Sequence, residues 1–132
     1  VGTAGTLMGI AKAFKNANSN SKIIAVEPSS SPILSKGING SHNVEGVGLG
    51  FIPKIYDSKL VDDVITIEES VARQTSRDLA LKEGVFCGTS SGMNVAAAIQ
   101  ISQKLGPKSR VVAVACDTGL KYLSEGLFDK KN

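Results

Sequence analysis

The chain has no tryptophan, one histidine, two cysteines, four prolines and an aromatic content of 5%. Each scarcity removes a class of function. A nucleic-acid binder stacks bases on aromatic rings and presents a basic stripe. Here the net charge is only +3 and the lysines are scattered, so no nucleic-acid partner is expected. Cys87 and Cys116 belong to no C-x-x-C pair, and a lone histidine cannot complete a Cys/His zinc set. Both cysteines lie in or beside apolar runs and read as small buried thiols of a reduced, cytoplasmic protein. No apolar run reaches 18 residues, so no membrane span is expected. The chain does not open on methionine and shows no signal-peptide pattern. Val1 stands directly against a glycine turn, and the strand that should feed that turn is missing. The expectation is one α/β domain over residues 1–132, a fragment lacking the N-terminal half of a longer enzyme. The end, Lys130-Lys131-Asn132, reads as a solvated tail.

What is present is organised around Gly2-Thr3-Ala4-Gly5-Thr6. A helical pattern follows at once, with Leu7, Met8, Ile10, Ala11, Ala13 and Phe14 apolar at i, i+3, i+4 spacing. A Gly/Thr turn that opens a helix offers free backbone N–H groups, a favourable dipole and close approach for an anion. Threonine hydroxyls add short hydrogen bonds. The turn therefore reads as a phosphate cradle, against the plainer alternative of a tight turn without a ligand. It is not a P-loop, because no Gly-Lys-Ser/Thr follows, and its glycine spacing is not that of a dinucleotide fingerprint. Glu27 lies where a ribose-binding acid would, but Pro28 and three serines follow it, which favours a strand end.

Along the chain, residues 6–17 read as a helix and residues 22–26 as a short buried strand. From Pro28 to about Val61 no period appears, apart from a possible short helix at 32–35. Irregular stretches of that length are usually functional, and Gly46-Val47-Gly48-Leu49-Gly50 looks like backbone passing close to something. Residues 64–67 read as a strand. Residues 68–82 read as a helix, with Thr66 and Glu69 at capping-box spacing and Gly84 at its end. Asp62, Asp63, Glu68 and Glu69 read as a strand entry and an acidic first turn rather than a metal set. Val85-Phe86-Cys87 is a short apolar run. A second turn, Gly88-Thr89-Ser90-Ser91-Gly92, opens a helix that ends near Gly106-Pro107. Residues 111–115 are all Val or Ala and read as the clearest buried strand, followed by Asp117-Thr118-Gly119 and a short helix with Tyr122 and Leu123. This order implies an α/β domain with a mainly parallel sheet, whose ligand sits at the carboxyl ends of the strands.

Five motifs in this order resemble the cysteine synthases (O-acetylserine sulfhydrylases): Gly2-Thr3-Ala4-Gly5-Thr6, Val26-Glu27-Pro28, residues 44–53, Gly88-Thr89-Ser90-Ser91-Gly92 and residues 117–124. The resemblance spans essentially all 132 residues. It implies the C-terminal lobe of a fold-type II, tryptophan synthase β-like enzyme that uses pyridoxal 5'-phosphate. It further implies that Gly2, Thr3, Ala4, Gly5 and Thr6 hold the cofactor phosphate and that Ser90 meets the pyridine nitrogen. Gly46, Val47 and Gly48 would line the substrate side, with His42 structural at the start of that loop. The implied reaction is β-replacement on O-acetylserine by sulfide, giving L-cysteine. The implied partners are a second copy, as a homodimer, and serine acetyltransferase. Two departures are visible. Ala4 stands where the family usually has glycine, a methyl that would crowd the phosphate or be tolerated at negative φ. The family's Schiff-base lysine lies upstream of anything matched here, so no catalytic residue is assigned and this chain alone is expected to be inactive. The alternatives are a cystathionine β-synthase-like enzyme and a non-catalytic regulatory or binding paralogue, which Ala4 would favour. A generic nucleotide-phosphate binder is a third.

Overall fold

The computed structural model describes residues 1–129, so the expected tail at 130–132 lies outside the described residues. The chain divides into two compact units, Val1–Thr66 and Ile67–Asn132. In the first, α1 (Gly5–Asn16) leads to β1 (Ile24–Pro28), the short α2 (Ile33–Lys36), a single 3-10 turn (Ser58–Leu60) and β2 (Asp63–Ile67). β1 and β2 form a two-stranded sheet. Their entries are pinned together. The Asp62 amide donates to the Ile23 carbonyl at 2.8 Å. The Asp62 carboxylate accepts from the Ile23 amide at 2.8 Å and from Lys22 Nζ at 2.9 Å. Both strands leave that junction in the same direction, which makes the pair parallel. Those two bonds, with Lys22 beside them, hold the Asp62 carboxyl below the usual carboxylate range.

α1 buries one stripe. Ala4, Met8 and Ala11 are buried at i, i+4, i+7, and Val1, Leu7, Ile23, Tyr56, Leu60 and Val61 pack against them. The Met8 sulfur also accepts the Asp57 amide at 3.2 Å. The long 29–62 connection is thereby tied down without a regular period of its own. Glu27, 1% exposed, explains part of this. Its carboxylate accepts from the Leu34 amide (2.7 Å), the Ser35 amide (3.0 Å) and the Ser35 hydroxyl (2.6 Å). It thus caps α2 from a neighbouring strand, which is why Glu27 is bound within the protein rather than held ready for a ribose.

The second unit is built on α3 (Glu69–Glu83) and α4 (Thr89–Leu105), followed by a 3-10 turn (Gly119–Glu125). The two helices meet where glycine permits. A Cβ built at Gly92 would collide with the Ala72 carbonyl and the Ser76 hydroxyl and lie 2.8 Å from the Ser76 nitrogen. Ser76, fully buried, donates its hydroxyl toward the Gly88 carbonyl at 2.9 Å. α3 ends at Gly84, with φ 68°, as a left-handed C-terminal cap requires.

Three expectations need correction. Thr66 lies in β2, and Glu68 precedes α3 without a side-chain cap, so no capping box forms. The apolar run Val85-Phe86-Cys87, assigned to no element, makes one antiparallel bridge, Cys87 with Thr118. Residues 111–115 are not a strand and are not buried: Val112 is 85% exposed. An apolar run becomes a strand only when another backbone takes its N–H and C=O groups, and none among the described residues does. Cys116 is exposed, whereas Cys87 is buried as expected.

Candidate functional site

The first unit brings two of the sequence-assigned segments together. Ala4 precedes α1 in a left-handed conformation, φ 66°, ψ 5°. The tolerance expected at negative φ therefore does not apply. Instead the methyl is 4% exposed and belongs to the core with Met8 and Ala11. It is used for packing. Met8 donates back to the Ala4 carbonyl at 2.9 Å. The amides of Gly5, Thr6 and Leu7 have no acceptor in the described chain. No side chain caps this end and no acid sits in the first turn. Thr3, Gly5 and Thr6 are exposed. A Cβ built at Gly5 would meet nothing closer than the Thr3 hydroxyl at 3.8 Å. An open helix N-terminus with unclaimed donors and two threonine hydroxyls fits a phosphate group.

The 46–50 loop is seated on this turn. The Gly48 amide donates to the Val1 carbonyl at 3.0 Å. A Cβ on Gly2 would overlap the Gly46 carbonyl, so glycine at position 2 is demanded by its neighbour. Gly46, Gly48 and Gly50 have φ of 75°, 59° and 79°, a left-handed series that side chains would strain. The spacing had signalled close approach. What it approaches, residues 1 and 2 on one side and His42 on another, could not be read from spacing.

In the second unit, α4 starts after Gly88 without a side-chain cap or an acidic first-turn residue. Thr89, Ser90, Ser91 and Gly92 are all buried. The Ser91 hydroxyl donates to Asp117 Oδ1 at 3.4 Å and accepts the Cys116 amide at 2.8 Å. Asp117 Oδ2 accepts a short hydrogen bond from the Tyr122 hydroxyl. The Gly119 amide donates to the Phe86 carbonyl at 3.1 Å. Asp117 and Tyr122, whose pairing the sequence did not show, thus fix the turn from behind. Ser90 differs from its neighbours: it is 7% exposed and its hydroxyl makes no hydrogen bond in the described chain. No buried side-chain oxygen or nitrogen among the described residues lacks a partner, so the Ser90 hydroxyl is reached by solvent and is open to a ligand atom. Burial pushes the Cys87 thiol up; a hydrogen bond with Ser91 opposes it in part, and Asp117 and Cys116 add smaller upward pushes. A thiol so placed is a poor nucleophile. Among the described residues no cluster of three or more potential metal ligands occurs, and no helix is long and apolar enough to cross a membrane.

Residues 1–117 match the family described as pyridoxal-phosphate dependent enzyme. The chain is 41% identical over 128 residues to a cysteine synthase of Staphylococcus aureus, covering 97% of this chain and 41% of that protein. Among solved structures it is similar to a cysteine synthase from Entamoeba histolytica, at TM-score 0.92 and 36% identity, over 100% of this chain and 39% of that one. It is also similar to an O-acetylserine dependent cystathionine beta-synthase from Helicobacter pylori, at TM-score 0.89 and 35% identity, over 97% of this chain and 42% of that one. The chain thus spans about two fifths of the length of the curated relatives it matches. The family match over residues 1–117 leads to one conclusion: the chain belongs to the pyridoxal-phosphate dependent enzymes, and its fold is that of the fold-type II members it is similar to.

Proposed function

We propose that this chain is the cofactor- and substrate-binding lobe of a cysteine synthase, which makes L-cysteine from O-acetylserine and sulfide by β-replacement. Bound pyridoxal phosphate would supply the electron sink that labilises the substituent on the substrate's β-carbon. The chain's own residues would bind and orient. The amides at the start of α1, with the hydroxyls of Thr3 and Thr6, would take the phosphate; Gly2, Ala4 and Gly5 would shape the turn. In the second unit the Ser90 hydroxyl would donate to the pyridine nitrogen. Being neutral, it would leave that nitrogen unprotonated and the sink weaker than a carboxylate partner would make it. Gly46, Val47 and Gly48 would line the substrate side. The observation that carries this reading is the row of unclaimed amides at Gly5, Thr6 and Leu7 on an uncapped helix end.

No Schiff-base lysine is assigned, so the reading gives the chain alone no cysteine-forming activity. Two free thiols are in keeping with a reducing, cytoplasmic setting. A homodimer and an association with serine acetyltransferase belong to the same reading. The Helicobacter pylori relative favours one second reading, in which the acceptor is a larger thiol and the product a cystathionine.

The chain itself can be tested before the whole enzyme. Pyridoxal phosphate and inorganic phosphate should raise its thermal midpoint, and pyridoxal without phosphate should not. Equal shifts from phosphate and pyridoxal, or none from any of the three, would remove the phosphate assignment. For the full-length protein, sulfide consumption with O-acetylserine, set against homocysteine consumption with the same substrate, separates the two acceptors.

A further inference from the structure

The chain's single histidine sits beside the glycine loop. His42 Nε2 lies 3.2 Å from the Gly48 carbonyl oxygen, and the Val44 amide donates to His42 Nδ1 at 3.2 Å. A carbonyl can only accept, so Nε2 carries the proton. An N–H can only donate, so Nδ1 is bare. The two bonds together select the neutral Nε2–H tautomer. The ring also fills the space that a side chain at position 48 would need: a Cβ there would run into Nε2 and lie 2.9 Å from Cε1. Gly48 is meanwhile the residue whose amide reaches back to the Val1 carbonyl. One residue is therefore held from opposite ends, by its carbonyl to His42 and by its amide to Val1, just before the Gly2 turn. Val44, whose amide feeds the ring, is 2% exposed and anchors the near end of the loop.

We propose that His42 is the positioning residue of the 46–50 loop, setting its distance from the Gly2 turn through the Gly48 carbonyl. This rests on the proposed function only in giving that loop the substrate side; the latch itself is a property of the first unit. Glycines at 46, 48 and 50 leave the loop without side-chain anchors of its own at those positions. An external clamp is what such a backbone lacks, and the imidazole supplies it at two points without adding charge.

The test uses the full 132-residue chain, isotope-labelled. With one histidine, the long-range proton–nitrogen spectrum of the ring is unambiguous. The expected pattern is a protonated Nε2 and a bare Nδ1; the opposite tautomer overturns the proposal. Hydrogen exchange of the Gly48 amide then reads whether the loop stays on Val1. Losing one hydrogen bond of ordinary strength should speed that exchange by about fivefold in His42→Ala. His42→Gln keeps one donor and one acceptor on a planar group and should restore most of the protection. Unchanged exchange in His42→Ala, or no recovery in His42→Gln when α1 amides are as protected as in the parent sequence, would overturn it. Absence of phosphate binding would strike the functional reading alone, since every signal here is read without a ligand.

Discussion

Replacing Gly92 by alanine should separate α3 from α4, and the size of the effect follows from three contacts. The added carbon would overlap the Ala72 carbonyl and the Ser76 hydroxyl and sit 2.8 Å from the Ser76 nitrogen. Two of those obstacles are backbone atoms, which cannot rotate away, so the helices must part. Overpacking of this kind costs about 1–3 kcal/mol. Parting also stretches the buried Ser76 bond to the Gly88 carbonyl, adding about 1 kcal/mol. Alanine returns about 1 kcal/mol of helix propensity. The net loss is about 1–3 kcal/mol, or roughly 4–11 °C in thermal midpoint for a chain of this size. Gly9 provides the control. It lies on the exposed side of α1, and a Cβ there meets nothing within 4 Å. The same exchange at Gly9 should stabilise by up to about 1 kcal/mol. Urea and thermal unfolding of both variants read the result. If Gly92→Ala stabilises as Gly9→Ala does, the close helix crossing is refuted.

Four further outcomes are expected. Ala4→Gly relieves about 1–2 kcal/mol of left-handed strain but gives up a buried methyl and adds unfolded-state freedom; thermal midpoints should agree within about 4 °C, and stabilisation by pyridoxal phosphate should be unchanged, whereas a marked gain would mean that the methyl does crowd the phosphate. Glu27→Gln cannot accept from the Leu34 and Ser35 donors with both oxygens and should lose about 2 kcal/mol in urea unfolding. Asp62 has its folded pKa lowered, so its stabilising effect is present above the unfolded value and lost as pH falls through the lowered folded one; in acid titrations followed by circular dichroism, Asp62→Asn should flatten that part of the profile. Val112→Lys places a charge on an exposed, unpaired apolar run and should reduce self-association in sedimentation experiments without lowering the thermal midpoint.

The helices were legible because each carries its own evidence. α1 shows Leu7, Met8, Ala11 and Phe14 in register, and α3 stops at a glycine whose φ of 68° is the reason for its presence. The parallel strands at 24–28 and 63–67 were legible from short apolar runs between turns. Residues 111–115 had the strongest apolar signal of all and failed. Strand formation is a property of two backbones, and one run cannot reveal whether the second is there. The Thr66–Glu69 spacing failed for a related reason, since Thr66 was already committed to β2. At the candidate site, the glycines and Ser90 stood out by type and order. The close approach of Gly2 and Gly46, the His42 bonds and the Asp117–Tyr122 support join residues 2 to 44 positions apart, and no pattern of residue types encodes them.

The two thiols lie on opposite sides of an accessibility boundary, Cys116 exposed and Cys87 2% exposed. Cys87 is covered where Thr118 bridges to it and the Gly119 amide holds the Phe86 carbonyl. A thiol reagent added to the native chain would therefore mark Cys116 at once and Cys87 only as often as that cover lifts. The ratio of the two labelling rates is an internal clock for breathing of the segment behind Ser90, read by mass without a fluorophore or a mutation.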